Sequence, residues 1–173
     1  MIIEDIIYFA GLFDGEGSVE ISQTRQRGGT LYYELAIRVV NTDEDIMLWL
    51  VNVFGGSLYA RKRVYHNCKQ SFTWSLGPKK SLWLLKLVLP YLRIKKKRAE
   101  LAIYFEEGKI ERGRNRGRFG FVRKLDKYRV LEEAQFILMR ELNQRGTMLG
   151  VGPEGLRRPA KPGEQTPTGE VNA

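Results

Sequence analysis

Two carboxylates lie close together near the start of the chain, in the segment Phe9-Ala10-Gly11-Leu12-Phe13-Asp14-Gly15-Glu16-Gly17. Over Ile2–Phe13 the apolar residues Ile3, Ile6, Ile7, Ala10 and Phe13 recur at helical spacing, and the pattern stops at Gly15 and Gly17. Asp14 and Glu16 therefore fall at a helix C-terminus, where free carbonyls already carry partial negative charge and a carboxylate is unfavourable by itself. Something positive should offset it. A carboxylate and a main-chain carbonyl are hard oxygen ligands, and they suit Mg²⁺, with water and phosphate oxygens filling the octahedron. The same residues also read as a helix stop followed by a solvated acidic turn, and physical chemistry leaves both open. Ala10 and Gly11, on one helical face, are small enough for a second helix to approach closely.

The charge balance points to a polyanionic partner. Lys and Arg number 29 against 20 Asp and Glu, a net +9 on 173 residues, which favours nucleic acid before anionic membrane. A basic, solvated surface is the plainer reading of the same excess. Cys68 is the single cysteine, which excludes an internal disulfide and a thiolate zinc cluster. With His66 it makes two soft ligands, too few for a zinc site. The first thirteen residues carry Glu4 and Asp5 and no basic leader, and no apolar run reaches membrane-spanning length. An intracellular protein is expected, in the cytoplasm or nucleoid of a prokaryote or in an organelle matrix, without membrane association.

The elements that must position the acids follow from periodicity. Val19 and Ile21 alternate with Ser18, Glu20, Ser22 and Thr24, which predicts a half-buried strand over Ser18–Arg25. Gly28-Gly29 marks a turn, and Leu35, Ile37 and Val39 alternate again within Leu31–Val40. Asn41-Thr42-Asp43 offers N-cap chemistry for a helix closed by Gly55-Gly56. Leu58–Tyr65 and Ser71–Leu76 repeat the strand pair, and Pro78 opens a helix that Pro90 ends. Two more helices are expected, at about Lys95–Glu107 and Asp126–Leu142. Between them, 109–124 interleaves Arg112, Arg114, Arg116, Arg118 and Arg123 with glycines and reads as a basic loop. From 144 the chain turns Pro- and Gly-rich and reads as a flexible tail. The fold class is α+β: a single domain over 1–143, with a mostly antiparallel sheet that has one core face and one polar, aromatic and basic face.

The segment Phe9–Gly17 resembles the signature motif of the LAGLIDADG homing endonucleases, with Gly15-Glu16 in place of the Ala-Asp of the motif's name. Three further stretches are similar to that family: Val40-Asn41-Thr42-Asp43, Gly55 to Arg63, and Pro90 to Ala99. The resemblance runs from about Ile6 to Glu107. It implies an αββαββα core whose four-stranded sheet lies in the DNA major groove, with C-terminal helices added. It also implies a site-specific, Mg²⁺-dependent, intron-encoded endonuclease that makes a double-strand break in a long pseudo-palindromic target. Glu16 would hold metal together with the carbonyl of Gly15, and Asp14 would support the helix turn. Lys95 falls where the family has a basic residue near the scissile phosphate, and Asn41 near a polar residue that positions the attacking water, usually Gln there. DNA-facing strand positions would be Ser18, Glu20, Ser22, Thr24, Gln26, Arg38, Tyr59, Arg61, Arg63, Ser71 and Thr73, with Arg61 and Arg63 suited to guanine.

One motif, rather than two, implies a homodimer. The interface would be built on Ala10, Gly11 and Asp14, with about two or three Mg²⁺ ions shared at the twofold axis. Two other roles fit the same residues. A splicing maturase would bind intron RNA, which the basic loop would suit, but it need not keep Glu16 and Lys95 together. A non-catalytic DNA-binding regulator would keep the fold without needing Glu16.

Overall fold

Helix α1 (Ile3–Glu16) begins where the Asp5 carboxylate accepts the Ile2 N–H at 2.9 Å, and Glu4 and Asp5 complement the positive end of its dipole. The glycines do not stop it. The helix continues through Gly15 to Glu16, and strand β1 (Gly17–Arg25) starts at once. Gly15 costs about 1 kcal/mol relative to alanine in a helix; the burial of Phe9 and Phe13, whose rings stack at 5.2 Å, holds the last turns in place.

The computed structural model of the chain describes residues 2–25, 29, 31–61, 69–114 and 126–144. The chain divides into two units, Met1–Asn143 and Gln144–Ala173, and apart from Gln144 the described residues belong to the first. The element order continues with β2 (Leu31–Asn41), α2 (Glu44–Phe54), β3 (Ser57–Ala60), β4 (Phe72–Leu76), α3 (Pro78–Val88), α4 (Lys96–Arg114) and α5 (Asp126–Asn143). The four strands form one antiparallel sheet in the order β1-β2-β4-β3.

Register places Val19 opposite Ile37, Ile21 opposite Leu35, and Val39 opposite Trp74, so these side chains share one face. That face is buried beneath the helices, as the alternation predicts. Phe9 of α1 packs edge-on to Trp74 at 5.8 Å and against Phe54 of α2 at 4.9 Å. Trp74 is fully buried, and its indole N–H donates to the Gly55 carbonyl at 2.7 Å, which avoids an unmatched donor in the core. Asp43 caps α2 by accepting the Ile46 N–H at 3.1 Å. After it, Gly55 (φ 70) and Gly56 (φ 101) turn the chain toward β3; a Cβ at Gly56 would lie 2.6 Å from the Ser75 carbonyl oxygen.

Three boundaries differ from the sequence reading. Helix α4 extends to Arg114, so Lys109 is helical rather than part of a loop. Its ammonium donates to the Tyr33 carbonyl at 2.7 Å and sits 4.7 Å from the centre of the Tyr32 ring. That contact with β2 rewards the extra turns, which local composition does not reveal. Strand β3 covers Ser57–Ala60, although the Arg61 N–H still donates to the Ser71 carbonyl at 2.8 Å. Residues 62–68, which include Arg63, His66 and Cys68, lie outside the described residues, as do Gln26, 115–125 and 145–173.

Helix α5 lies against α4 and the β1–β2 edge. Arg98 of α4 donates to the Leu142 carbonyl from Nε (2.8 Å) and Nη2 (2.6 Å), satisfying the helix C-terminus, and Asn143 Nδ2 donates to the Val19 carbonyl at 2.9 Å.

Candidate active site and nucleic-acid interface

The end of α1 and the start of α4 are tied together by one acid and one base. The Asp14 carboxylate accepts three backbone N–H groups from the turn before α4: Arg93 (2.7 Å) and Ile94 (3.2 Å) on Oδ2, and Lys95 (2.9 Å) on Oδ1. In return, the Lys95 ammonium donates to the Asp14 carbonyl oxygen. Each charge sits where the neighbouring helix end favours it: an acid at the N-terminal side of α4, a base on the C-terminal carbonyls of α1. Helix α1 has no basic residue in its own last turn, so Lys95 supplies the offsetting charge that its acidic end requires. Burial pushes the Asp14 pKa up, but the three backbone bonds and the Lys95 charge outweigh it and hold the carboxyl below its ordinary 3.8. Lys95, 7% exposed, has its pKa lowered: burial acts first, Asp14 opposes it, Arg98 adds to the lowering, and Glu16 opposes it.

Glu16 is the last residue of α1 and is exposed, and Gly15 beside it is also exposed, with open space where a Cβ would stand. A divalent cation here would take the Glu16 carboxylate and a main-chain carbonyl at the helix end, both hard oxygen donors. Among the described residues no three His, Cys, Asp or Glu converge as a metal cluster. The residues therefore fit an ion completed by oxygens from outside the chain, as a phosphate would supply. Gly17 has a separate reason to be glycine: a Cβ there would lie 2.2 Å from the buried Phe13 ring. Asn41 stands at the end of β2, two residues past Val39, the partner of Gly17. Its Oδ1 accepts the Thr42 N–H (2.7 Å) and the Asp43 N–H (3.1 Å), so the amide nitrogen is the end suited to a water.

The outer sheet face gathers most of the strand residues expected there. Cross-strand pairing aligns Ser18 with Arg38 and Glu20 with Ala36 on β1–β2, and Tyr59 with Thr73 on β3–β4. Arg38 is ion-paired with Glu20, so two expected base-reading residues hold each other. The Ser22 hydroxyl donates to the Glu34 carbonyl at 3.2 Å, and Thr24, Tyr59 and Arg61 are exposed, with Ser71 half-buried beside Arg61. Thr73 is a correction. It has the outward parity, but β4 is an interior strand, and between Val40 on one side and Tyr59 on the other Thr73 is only 1% exposed. Sequence reasoning passed over Tyr32 and Ser75, which register sets on this face opposite Thr24 and Arg38; the i, i+2 rule, carried through both strands, would have found them.

The small pair in α1 divides. Ala10 is 1% exposed and belongs to the chain's own core, so it offers no side chain to a partner. Asp14, also expected at the dimer contact, spends its carboxylate on the turn before α4. The open face lies about 100° round the helix, where Ile3, Ile7, Tyr8, Gly11 and Gly15 are exposed. Nothing in the chain comes within 4 Å of a Cβ built at Gly11 or Gly15.

Similarity to known proteins agrees with this geometry. The family model described as LAGLIDADG endonuclease matches residues 9–99, which run from the signature segment to the first turn of α4. No curated protein sequence matches the chain. Among solved structures, the homing endonuclease I-CvuI with the I-CreI target, in the presence of Mg and with the DNA not cleaved, has a TM-score of 0.63 at 18% identity, over 86% of this chain and 87% of that one. The archaeal intron-encoded homing endonuclease I-Vdi141I complexed with DNA has a TM-score of 0.61 at 13% identity, over 83% and 86%. The group I intron-encoded homing endonuclease I-CeuI complexed with DNA follows at 0.59 and 17%, over 84% and 69%. With its signature segment, its strand and helix order and more than half its length accounted for by one family model, the chain belongs to the LAGLIDADG endonuclease family.

Proposed function

We propose that the protein is a site-specific homing endonuclease that cuts both strands of a long pseudo-palindromic DNA as a homodimer. The observation that carries this reading is the junction at the end of α1: Glu16 exposed, with the Lys95 ammonium fixed beside it on the Asp14 carbonyl. The Glu16 carboxylate and the Gly15 carbonyl would hold a divalent cation, Mg²⁺ for preference, which when bound activates water and balances charge on the scissile phosphate. Two or three such ions per dimer, about the twofold axis, would serve the two strands. Lys95 adds positive potential at the same place, strengthened by its partial removal from water, as charge develops on the phosphate. The Asn41 amide donates to and orients the attacking water. Outward residues of β1–β4 read each half-site in the major groove, so the target spans about two turns of duplex. With Mg²⁺ and a library of randomised duplexes, the protein should produce double-strand breaks in one class of near-palindromic site. Tight, site-selective binding without any break would leave a regulator of the same fold.

Two consequences can be measured directly. Gly11→Leu puts a bulky group on the open face of α1 without touching the chain's own core, so the fold should persist while helix–helix approach fails. Light scattering should show the dimer weakened by about a hundredfold, given the cost of overpacking a close contact, with nicking or silence replacing double-strand cleavage. A Gly11→Leu protein that stays dimeric would rule out this face. Arg61→Ala should relax preference at one position of each half-site by about 10- to 100-fold in a site-selection assay, since a bidentate base contact carries about 1–3 kcal/mol of discrimination. Uniform weakening on all sequences would make Arg61 a phosphate contact instead.

A further inference from the structure

Helix α5 has two faces, and the chain uses one of them. Inward, Glu132, Gln135 and Met139 are buried, Phe136 packs on Tyr33 at 5.4 Å, and Arg98 and Asn143 pin the final turn. Outward, Val130 (66%), Leu131 (38%), Ile137 (49%) and Leu138 (45%) are exposed, with exposed Ala134 at their centre. At 100° per residue these five positions fall within a stripe about 120° wide, the width of a face that packs on another helix.

We propose that this stripe docks antiparallel on the same stripe of a second copy, about a twofold axis at Ala134. The argument is that the stripe reads the same in both directions. With Ala134 facing the partner's Ala134, Val130 falls opposite the partner's Leu138 and Leu131 opposite the partner's Ile137. Every large apolar group meets another, and the smallest residue sits at the crossing, where helix axes come closest. Charge extends the match. Exposed Glu141 follows one turn after Leu138, and the sequence places a lysine at position 127, one turn before Val130, so the reversed helix sets opposite charges at both ends. The antiparallel arrangement also sets the two helix dipoles head to tail. A nucleic-acid partner does not suit an aliphatic stripe that carries Glu133 on its flank and Glu141 in line.

This interface lies on a different helix from the α1 face and does not depend on DNA cleavage. A protein that used both would join two dimers, and with them two duplexes.

The test uses the full chain. Ala134→Cys, made with Cys68→Ser, should give a cross-linked dimer on mild oxidation, because paired Cβ atoms at the axis lie within disulfide reach. Ile137→Glu with Leu138→Glu should abolish the cross-link and weaken self-association by about thirtyfold or more, the effect of losing a central apolar anchor. On light scattering, wild type should exceed a dimer, the α5 double variant and Gly11→Leu should each form a dimer, and their combination a monomer. No cross-link, together with an unchanged mass in the α5 variant, would overturn the proposal, whether the stripe is covered by the chain's own tail or by another partner. If only Gly11→Leu left the mass unchanged, the α1 reading would fail and this one would stand.

Discussion

Glu16→Gln should leave a protein that binds its DNA and does not cut it. Glutamine keeps the size and nearly the shape of the side chain, so α1 and its junction with α4 are undisturbed; Glu16 is exposed and contributes nothing to the core. What disappears is a formal charge at the one place where the chain offers an acid to a divalent cation. DNA contacts come from the outer sheet face, so affinity should persist and can rise, because a carboxylate facing phosphates is gone. Cleavage should fall by at least about a thousandfold, the scale on which metal-assisted hydrolysis depends on its ligand. The two readouts are gel shift in Ca²⁺ and product formation in Mg²⁺ on one cognate site. Wild-type cutting by Glu16→Gln would mean that this acid only ends a helix, and the enzymatic reading would fall with it.

Asp14→Ala and Asp14→Asn should both destabilise the protein and slow cleavage. Alanine removes an acceptor of three backbone N–H groups. Asparagine is no rescue, because both carboxylate oxygens accept, and an amide would turn an NH₂ toward one of the donors. Loss of a cap-like acceptor that is partly exposed costs about 1–2 kcal/mol, or roughly 3–6 °C in Tm for a domain of this size. Activity should fall further than stability alone explains, by about a hundredfold, since Lys95 would lose the turn that aims it and small misplacements are costly at a reacting centre. Protein kept fully folded at low temperature separates the two effects. The sign of the pH dependence is also fixed. A carboxyl held below 3.8 in the fold contributes its full stability above that pH and loses it as pH falls through the lower, folded value. The Tm gap between wild type and Asp14→Ala should therefore narrow in acid, and a gap independent of pH would place the loss in packing instead.

Much of this molecule was legible from its sequence, and the physical reason is locality. Strand alternation at Val19, Ile21, Leu35, Ile37 and Val39 fixes which face of the sheet is buried, because side chains along a strand must alternate. Pro78, Asp43 and Gly55 mark helix ends through backbone chemistry that acts over a few residues. The signature segment marks the acid end of α1 in the same way. Tertiary structure decided what depends on neighbours far along the chain. Asp14 finds its donors 79 to 81 residues away, so its role at the start of α4 had no local trace. Lys109 is helical because β2 offers it a carbonyl 76 residues away, a reward that composition cannot register. Thr73 has the parity of a DNA-facing residue, but the strand order puts it between Val40 and Tyr59, and burial follows from that order rather than from parity. Ala10 and Gly11 are adjacent and equally small, yet one closes the core and the other faces outward, because a helix turns 100° per residue and only packing says where the core begins.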